Sequence, residues 1–416
     1  MNVARYDIVI AGGGMVGISL ALCLQQQLGA ECSILLIESY PLPSRDPRFQ
    51  ENYSPSFDAR STALSYSSYL IYREMGVWPG LAPRACGMKT VHVSEQGRFG
   101  STLMVAADYH WPALGYVVEN AWLGNVLVQA LHETSVETRS PARVVAATAE
   151  ADRIRVGLES GDSFSAGLLV VADGANSVLR EALGVEVSQQ DYRQHALIAN
   201  IGHASSHDGC AWERFTDHGP LALLPLLPDT DRGNRSALVW SLPGEEAEHL
   251  RHCPQDEFLQ LLQQRFGYRL GRLLRVGERH SYPLALVEAR EQVRQGVVIM
   301  GNAAHSLHPV AGQGFNLALR DIACLGSVLK QAAEAGEGFG ELSVLQRYLQ
   351  QQRGDQQRTT AFSDRLPDLF MQRDPALALL RHAGLFALDL SPALKREFVR
   401  HTAGVAASTG YRDVQP

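Results

Sequence analysis

The sequence predicts an α/β chain in three parts: a Rossmann-like nucleotide-binding unit, an antiparallel-sheet unit and a helical C-terminal region. Three observations predict it. Residues 6–38 run strand, glycine turn, helix, strand, acid; residues 195–242 run as successive strands; residues 297–321 run strand, glycine loop, helix again. The expected boundaries are 1–186 with 281–340 for the first unit, 187–280 for the second and 341–416 for the third.

In the first stretch, Tyr6 to Ala11 is a short apolar strand. Gly12, Gly14 and Gly17 then match G-x-G-x-x-G, with Val16 inside the turn, and an apolar helix follows from Ile18. Gly12 permits the tight turn, Gly14 admits a pyrophosphate and Gly17 lets helix and strand pack closely. A second strand, Ser33 to Ile37, ends in Glu38, placed to accept hydrogen bonds from ribose hydroxyls.

Residues 41–57 read as a polar loop. Asp58 to Leu64 reads as the start of a helix capped by Asp58 or Ser61. Arg60, taken alone, is a surface arginine that also suits a phosphate or ribose. Thr90 to Ser94 and Ser101 to Val105 read as a strand pair, Trp122 to Leu131 as a helix, and residues 143–168 as three further strands. A buried strand, Leu169 to Val171, then runs into Asp173-Gly174, with Ser177 and Arg180 opening a helix. An acid at a strand's C-terminal edge can hold a ligand hydroxyl; a plain turn with a serine cap is the alternative.

The second unit is drawn on His195 to Ile201, Cys210 to Phe215, Leu221 to Leu226 and Ser236 to Leu242, followed by an amphipathic helix from Glu257 to Phe266. Trp212, Phe215, Leu221, Leu223 and Trp240 serve equally as an apolar ligand wall or as sheet core. Tyr282-Pro283-Leu284 is read as the return to the first unit. The strand Val297 to Met300 leads into Gly301-Asn302, then Pro309, Gly312, Gln313, Gly314, Phe315 and Asn316, and a helix from Leu317. Glycines before a helix start bring free N–H groups close to an anionic ligand. A Gln-rich polar segment around Gln350 to Gln357 and an apolar helical tail from Leu366 to Phe398 close the chain.

Of the 416 residues, 45% are hydrophobic and 19% charged, as in a soluble globular protein, and the length accommodates several cores. A net charge of −7 without a basic block argues against nucleic acid. The six cysteines include no CxxC, so neither a metal site nor a redox pair is read, and a reduced, cytoplasmic setting is expected. No secretory signal is read, and no run approaches the ~20 apolar residues of a spanning helix.

Together these stretches resemble the flavoprotein aromatic hydroxylases, the single-component FAD monooxygenases, over nearly the whole chain. The resemblance rests on Gly12 to Gly17, on Asp173-Gly174, and on Gly301-Asn302 with Pro309, Gly312, Gly314 and Asn316. Within the family the chain is most similar to the ubiquinone-biosynthesis hydroxylases. The residues that carry this are Asp58-x-Arg60 with Ala63-Leu64, Glu213-Arg214-Phe215 before Gly219-Pro220-Leu221, and Ala311 to Leu317. The branch acting on 2-polyprenyl-6-methoxyphenol is similar in carrying Asn where most relatives carry Asp, here Asn302. Asn still accepts through its carbonyl but is neutral and also donates.

The resemblance implies the FAD/NAD(P)-binding fold of aromatic hydroxylases, with FAD as cofactor and NAD(P)H as reductant. It implies O2 and a polyprenylated phenol as substrates, and ring hydroxylation through a flavin C4a-hydroperoxide. It places Glu38 on the adenosine ribose, Arg60 near the ribityl-pyrophosphate region, and Asp173 on the pyrophosphate side, pairing with Arg180. Pro309 would wall the flavin ring, and the N–H groups of Gly312, Gln313 and Gly314 onward would stabilise negative charge on it. A phenol reacts faster as phenolate, so a base is expected; His305, His308, His218 and Tyr282 are candidates, and none is assigned. Other ubiquinone-biosynthesis proteins are expected partners, and no metal is expected. The tail is read either as a contact to the inner membrane surface or partners, or as a helix packed on the flavin unit. The alternative functions are a sister ubiquinone ring hydroxylase acting at another ring position, or a non-catalytic FAD-binding accessory subunit.

Overall fold

The computed structural model describes residues 4–53, 56, 60–97, 101–228, 233–308, 312–371 and 391–406. Four short apolar strands build the centre of an eight-stranded sheet. Ala4–Ala11 lies between Ile34–Ile37 and Ser163–Val171, parallel to both. Val297–Ile299 extends the sheet in parallel beyond Ser163–Val171, and Glu137–Arg139 extends it beyond Ile34–Ile37. Ile8 to Ala11, Ile34–Ile37, Leu168 to Val171 and Val297–Ile299 are buried, with neighbours on both faces, which explains why they read as continuous apolar runs rather than as alternation. Helices Met15–Leu28, Asn120–His132 and Gln313–Ala335 share one core with them, built from residues such as Ile10, Leu24, Leu127 and Leu325.

The second sheet has nine strands and is almost wholly antiparallel. At its centre, the 17-residue strand Val187–His203 lies between Arg235–Pro243 and His280–Ala289. Gly219–Pro225 and Cys210–Thr216 continue outward. One face packs on helices Gly244–His252 and Gln255–Phe266 through Trp240, Leu221, Leu223, Phe258 and Leu262. Trp212, Leu221, Leu223 and Trp240 therefore form sheet core on the helix side.

Four expectations are corrected here. The sheet takes in Thr90–Glu95, parallel to Cys210–Thr216, and through it Ser101–Val105. It also takes in His280–Ala289, so Tyr282-Pro283-Leu284 does not leave the second unit at 280. Alternation marks these as strands but says nothing about a partner more than a hundred residues away. Residues 61–65 form a strand paired with Gly115–Glu119, not the opening of a helix; the helix begins at Tyr66, and its cap is Ser65, whose hydroxyl accepts from Ser68 N–H. Asp58 lies outside the described residues. The Gln-rich segment is the middle of a helix, Leu342–Met371, with Gln352, Asp355 and Gln356 buried against Gln313–Ala335. Among the described residues no helix is long and apolar enough to cross a membrane.

Candidate functional site

Four adjacent strands end side by side, and each delivers one part of the site. In sheet order Ile34–Ile37, Ala4–Ala11, Ser163–Val171 and Val297–Ile299 run in parallel, so Glu38, Gly12, Asp173 and Gly301 stand in a row at their C-terminal edge. At about 4.8 Å per strand the row spans roughly 14 Å. The C-terminal edge of a parallel sheet is where such folds bind ligands.

At Gly12 the backbone is left-handed (φ 113°), and a Cβ would lie 2.3 Å from the carbonyl oxygen of Ala172. A Cβ on Gly17 would lie 1.8 Å from the Gly12 carbonyl. Both glycines are thus required by backbone contact. Gly14 differs: nothing lies within 4 Å of its added Cβ, and the helix it starts has neither a side-chain cap nor an acid in its first turn. That helix start offers bare N–H groups to an anion. Glu38 Oε2 accepts from Gly13 N–H (2.5 Å), while Oε1 accepts from Tyr40 N–H (2.9 Å) and Ser39 (3.0 Å). A carboxylate has about four acceptor sites, so ribose hydroxyls can still be received.

Asp173 accepts from Leu179 N–H at 3.4 Å. Arg180 does not turn to it. Its buried guanidinium donates from Nη1 to the Ala303 carbonyl (2.9 Å), tying the loop after Ser163–Val171 to the loop after Val297–Ile299. The expected Asp173–Arg180 pair is therefore replaced by a staple between neighbouring loops. Gly174 (φ 94°) has open space around its Cβ position. Gly301 (φ 61°) packs on Val16, whose Cγ1 would be 3.1 Å from an added Cβ. Asn302 is exposed beside it.

Pro309 lies outside the described residues. Gly312 is left-handed (φ 61°) and starts the helix Gln313–Ala335, which has no side-chain cap and no acid in its first turn. Gly314 faces open space. Gln313 is buried and donates to the Thr402 carbonyl (3.3 Å), so the segment 391–406 docks beside this loop. Phe315 packs on the first core. Asn316 is fully engaged by protein: Oδ1 accepts from Ser65 N–H (2.8 Å) and Ser68 (2.7 Å), and Nδ2 donates to the carbonyls of Ala63 (2.8 Å) and Gly312 (2.6 Å). Its side chain holds the loop and has no capacity left for a ligand.

Arg60 is exposed and donates from Nη1 to the Tyr282 hydroxyl (2.9 Å), which joins two of the candidate residues across 222 positions. The other base candidates lie apart. His218 is held by Glu246 (2.5 Å) and by Arg265 Nη2 (3.1 Å). His305 Nε2 is 3.2 Å from Asp321 Oδ2, both buried, and Asp321 Oδ1 accepts from Gln356 (3.0 Å). His308 is buried edge-on to Tyr192, and burial lowers its pKa to about 4 against the opposing pull of Asp364. Burial likewise pushes the thiols of Cys23, Cys32 and Cys324 up to about 12, so they are poor nucleophiles at neutral pH. His249, Cys253 and Glu257 approach one another at metal-binding range, but Arg279 Nη1 sits 3.4 Å from the Cys253 sulfur, putting positive charge where a cation would bind.

Glu213 enters the sequence reading only as part of the Glu213-Arg214-Phe215 resemblance, with no chemical role read for it. It is half-buried in the strand Cys210–Thr216, and burial alone raises its carboxyl to about 7. Its two neighbours, Trp212 and Arg214, are bulky residues that set the opposite face of the strand, and that alternation was the available clue.

The row of strand ends fits an extended dinucleotide: bare helix starts at Gly14 and Gly312, an acid with spare acceptors at Glu38, and open space at Gly14, Gly174 and Gly314. The comparisons agree. The family model described as FAD binding domain matches residues 5–363. The ubiquinone hydroxylase UbiL of Rhodospirillum rubrum is 33% identical over 96% of this chain and 89% of its own length. The 3-demethoxyubiquinol 3-hydroxylase of Escherichia coli is 30% identical over 96% and 98%. Among solved structures, p-nitrophenol 4-monooxygenase PnpA of Pseudomonas putida superposes with a TM-score of 0.75 at 20% identity, covering 97% of this chain and 99% of that one. PqsL of Pseudomonas aeruginosa gives 0.73 at 20%, covering 92% and 99%. The two structures share the fold.

Proposed function

The chain belongs to the FAD-binding domain family and is a flavin-dependent monooxygenase, and from that premise we propose that it hydroxylates the ring of a polyprenylated phenol in ubiquinone biosynthesis. The observation that carries the proposal is the pairing of two surfaces. A glycine-led helix start without a side-chain cap at Gly312–Asn316 abuts Ala63, and Ala63 packs against a cluster that includes Ala211 and Ala237 of the nine-stranded sheet.

FAD, when bound, takes electrons from a reductant, here NAD(P)H, and supplies one oxygen atom of O2 to the ring. The chain's own residues bind and orient. Glu38 would receive the ribose hydroxyls, and the helix start at Gly14 would receive the pyrophosphate with Asp173 alongside. Asn302 and Arg60 would serve the ribityl chain. The N–H groups from Gly312 through Gly314 would stabilise negative charge on the ring system. Asn316 acts one step back, by fixing the Gly312 turn.

For ring position, the Asn at 302 favours 2-polyprenyl-6-methoxyphenol as substrate and the 1,4-benzoquinol as product. The Escherichia coli relative, whose name assigns it 3-hydroxylation, favours a second reading at another ring position. A strain lacking the protein tests both. Accumulation of 2-polyprenyl-6-methoxyphenol is expected, a later demethoxy intermediate would move the assignment, and unchanged ubiquinone would overturn it.

For the tail, we propose packing as the main role of its C-terminal part. Phe398 and Val399 enter a cluster with Met104, Tyr109, Trp111 and Leu114, and Ser67 N–H donates to the Ala403 carbonyl. Residues 372–390 lie outside the described residues. A variant lacking them should divide between membrane and soluble fractions in the same proportion as wild type; a shift of the variant toward the soluble fraction would restore the membrane-contact reading.

A further inference from the structure

The face of the strand Cys210–Thr216 that looks away from its helices can be fixed residue by residue. Trp212 meets Phe266 edge-on (6.1 Å), and Arg214 donates from Nε to the Arg265 carbonyl (2.9 Å), so both face the helix Gln255–Phe266. Ala211, Glu213 and Phe215 therefore face the other way. Ala211 packs with Ala63 and Val117 of the first unit. A Cβ on Gly312 would lie 3.3 Å from the Ala63 side chain. Glu213, one pleat along from Ala211, lies on the same face of the sheet, the face that Ala63 and Val117 of the first unit pack against at Ala211.

The sheet register sets its surroundings. Val93, Glu213, Ala222, Val239, Ile198 and His280 lie opposite one another across successive strands. Val93, Val239 and Ile198 are only half-buried, although their strands lie inside a nine-stranded sheet. The row is an apolar wall bearing one carboxylate. Among the described residues Glu213 has no hydrogen-bond or ion-pair partner. A carboxylate held in apolar surroundings without a partner is costly, and the missing partner is naturally a ligand.

We propose that Glu213 is a catalytic residue that accepts the phenol proton of the substrate. The proposal rests on the phenol-hydroxylase reading above. As the ring is attacked, the phenol O–H bond breaks; its proton passes to a Glu213 oxygen and its electron pair stays with the ring, which reacts as a phenolate. After oxygen insertion the ring oxygen is a carbonyl. The attacked carbon releases its proton to water, Glu213 returns its proton to the ring oxygen, and the carboxylate is regenerated.

The earlier base candidates do not compete for this place. Tyr282 accepts from Arg60, His280 lies at the far end of the row 3.7 Å from Glu278, and His218 is held by Glu246. Charged and titratable groups on the neighbouring elements are Glu95, His280, Tyr282 with Arg60, and Asp364 and Arg365 of the helix Leu342–Met371. None contributes to the raised carboxyl, whose cause is burial alone. A base near neutrality suits the task.

The test compares holo wild type with Glu213→Gln and Glu213→Asp, each required to retain FAD. With a short-chain prenylated phenol, kcat/KM of wild type should rise with pH to a plateau, with its midpoint near 7. Glu213→Gln should lose that limb and at least ~10²-fold in rate, and Glu213→Asp should recover part of it. A fluorinated prenylated phenol that is already ionised should be hydroxylated by Glu213→Gln at close to the wild-type rate. Equal loss on both phenols, or an unchanged profile, would overturn the proposal. Phenol binding, followed by flavin absorbance, separates this from the parent reading. Affinity should rise with pH through the same midpoint in wild type only. Wild type that binds so but hydroxylates no prenylated phenol overturns the reading and keeps the residue. Wild type that hydroxylates, with identical pH-independent binding in both proteins, keeps the reading and overturns the residue.

Discussion

The chain presents backbone N–H groups at two glycine turns, one at Gly12–Gly17 and one at Gly312–Asn316, and the two are braced differently. The first is braced by main chain: Gly12 and Gly17 abut the carbonyls of Ala172 and Gly12 with no room for a Cβ. The second is braced by a side chain. Gly312 needs its left-handed backbone and is only tightly flanked by Ala63, at 3.3 Å from an added Cβ, rather than blocked; the turn is held by Asn316, whose four hydrogen bonds reach residues 63, 65, 68 and 312. A main-chain brace is rigid and fails completely when one atom is added. A side-chain brace can be weakened by degrees. The first suits a diphosphate that stays in place, and the second suits a loop facing a ring at which chemistry occurs.

Gly17→Ala should give the largest effect. The added methyl would lie 1.8 Å from a carbonyl oxygen, so the turn must open, and the purified chain should carry no FAD by absorbance. Retention of stoichiometric flavin would break the comparison at its first term. Asn316→Ala should come next. It strips partners from buried backbone groups, each costing ~1–3 kcal/mol when left unpaired. A loss of about 3 kcal/mol in denaturant unfolding is expected, together with weaker FAD binding. Asn316→Asp keeps the acceptor, loses both donors and should fall no higher than halfway back to wild type. Equal FAD affinity in all three would show that the second turn is not braced by this residue.

The difference in bracing also governs what could be read beforehand. At Gly12–Glu38 every constraint lies within a strand, a turn and a helix, so spacing alone reports it. Around Gly312 the glycines are visible in sequence, but the engagement of Asn316 depends on a strand 251 residues away. In sequence Asn316 accordingly reads as part of a ligand loop, and residues 61–65 as the opening of a helix. Arg180 is similar: nothing nearby in sequence points to Ala303. The strands of the second sheet were legible as strands, because their alternation is strong. The parallel pairing of Thr90–Glu95 with Cys210–Thr216 was not, and with it went the face on which Glu213 lies. The polar stretch at Gln350 to Gln357 reads as solvated, yet it pairs buried Arg320 with Asp355 (2.6 Å) and Asp321 with Gln356. Polarity in one segment reveals burial only when its partner segment is known.

The second turn should also be the one sensitive to acid. His308 is buried and neutral, with its pKa lowered to about 4 from 6.5. A base whose folded pKa is depressed binds protons more readily when unfolded. Its contribution to stability is present above about pH 6.5 and is lost as pH falls through about 4. The shift from 6.5 to about 4 corresponds to ~3 kcal/mol. Unfolding of His308→Asn, followed from neutral pH down to about pH 4, should show a shallower decline than wild type. Glu213 runs the other way. Its raised carboxyl stabilises the folded chain below about 4.5 and loses that contribution as pH rises through about 7, so Glu213→Gln should gain on wild type in mild alkali.

Asn302→Asp should have the smallest effect, and it tests whether the second loop binds as proposed. Asn302 is exposed and makes no hydrogen bond among the described residues, so the substitution disturbs nothing inside the chain. The change is confined to what the side chain offers a ligand: a carboxylate accepts twice where the amide accepts and donates. One hydrogen bond of this kind is worth about 1 kcal/mol, or roughly a fivefold change in FAD dissociation constant. FAD affinity within that range, with folding stability unchanged, is expected by flavin titration and calorimetry. Loss of FAD at undiminished stability would mean that a negative charge at residue 302 is repelled by the bound group. The phosphates, rather than the ribityl chain, would then lie at this end of the row, and the assignments of the Gly12 and Gly312 turns would have to be exchanged.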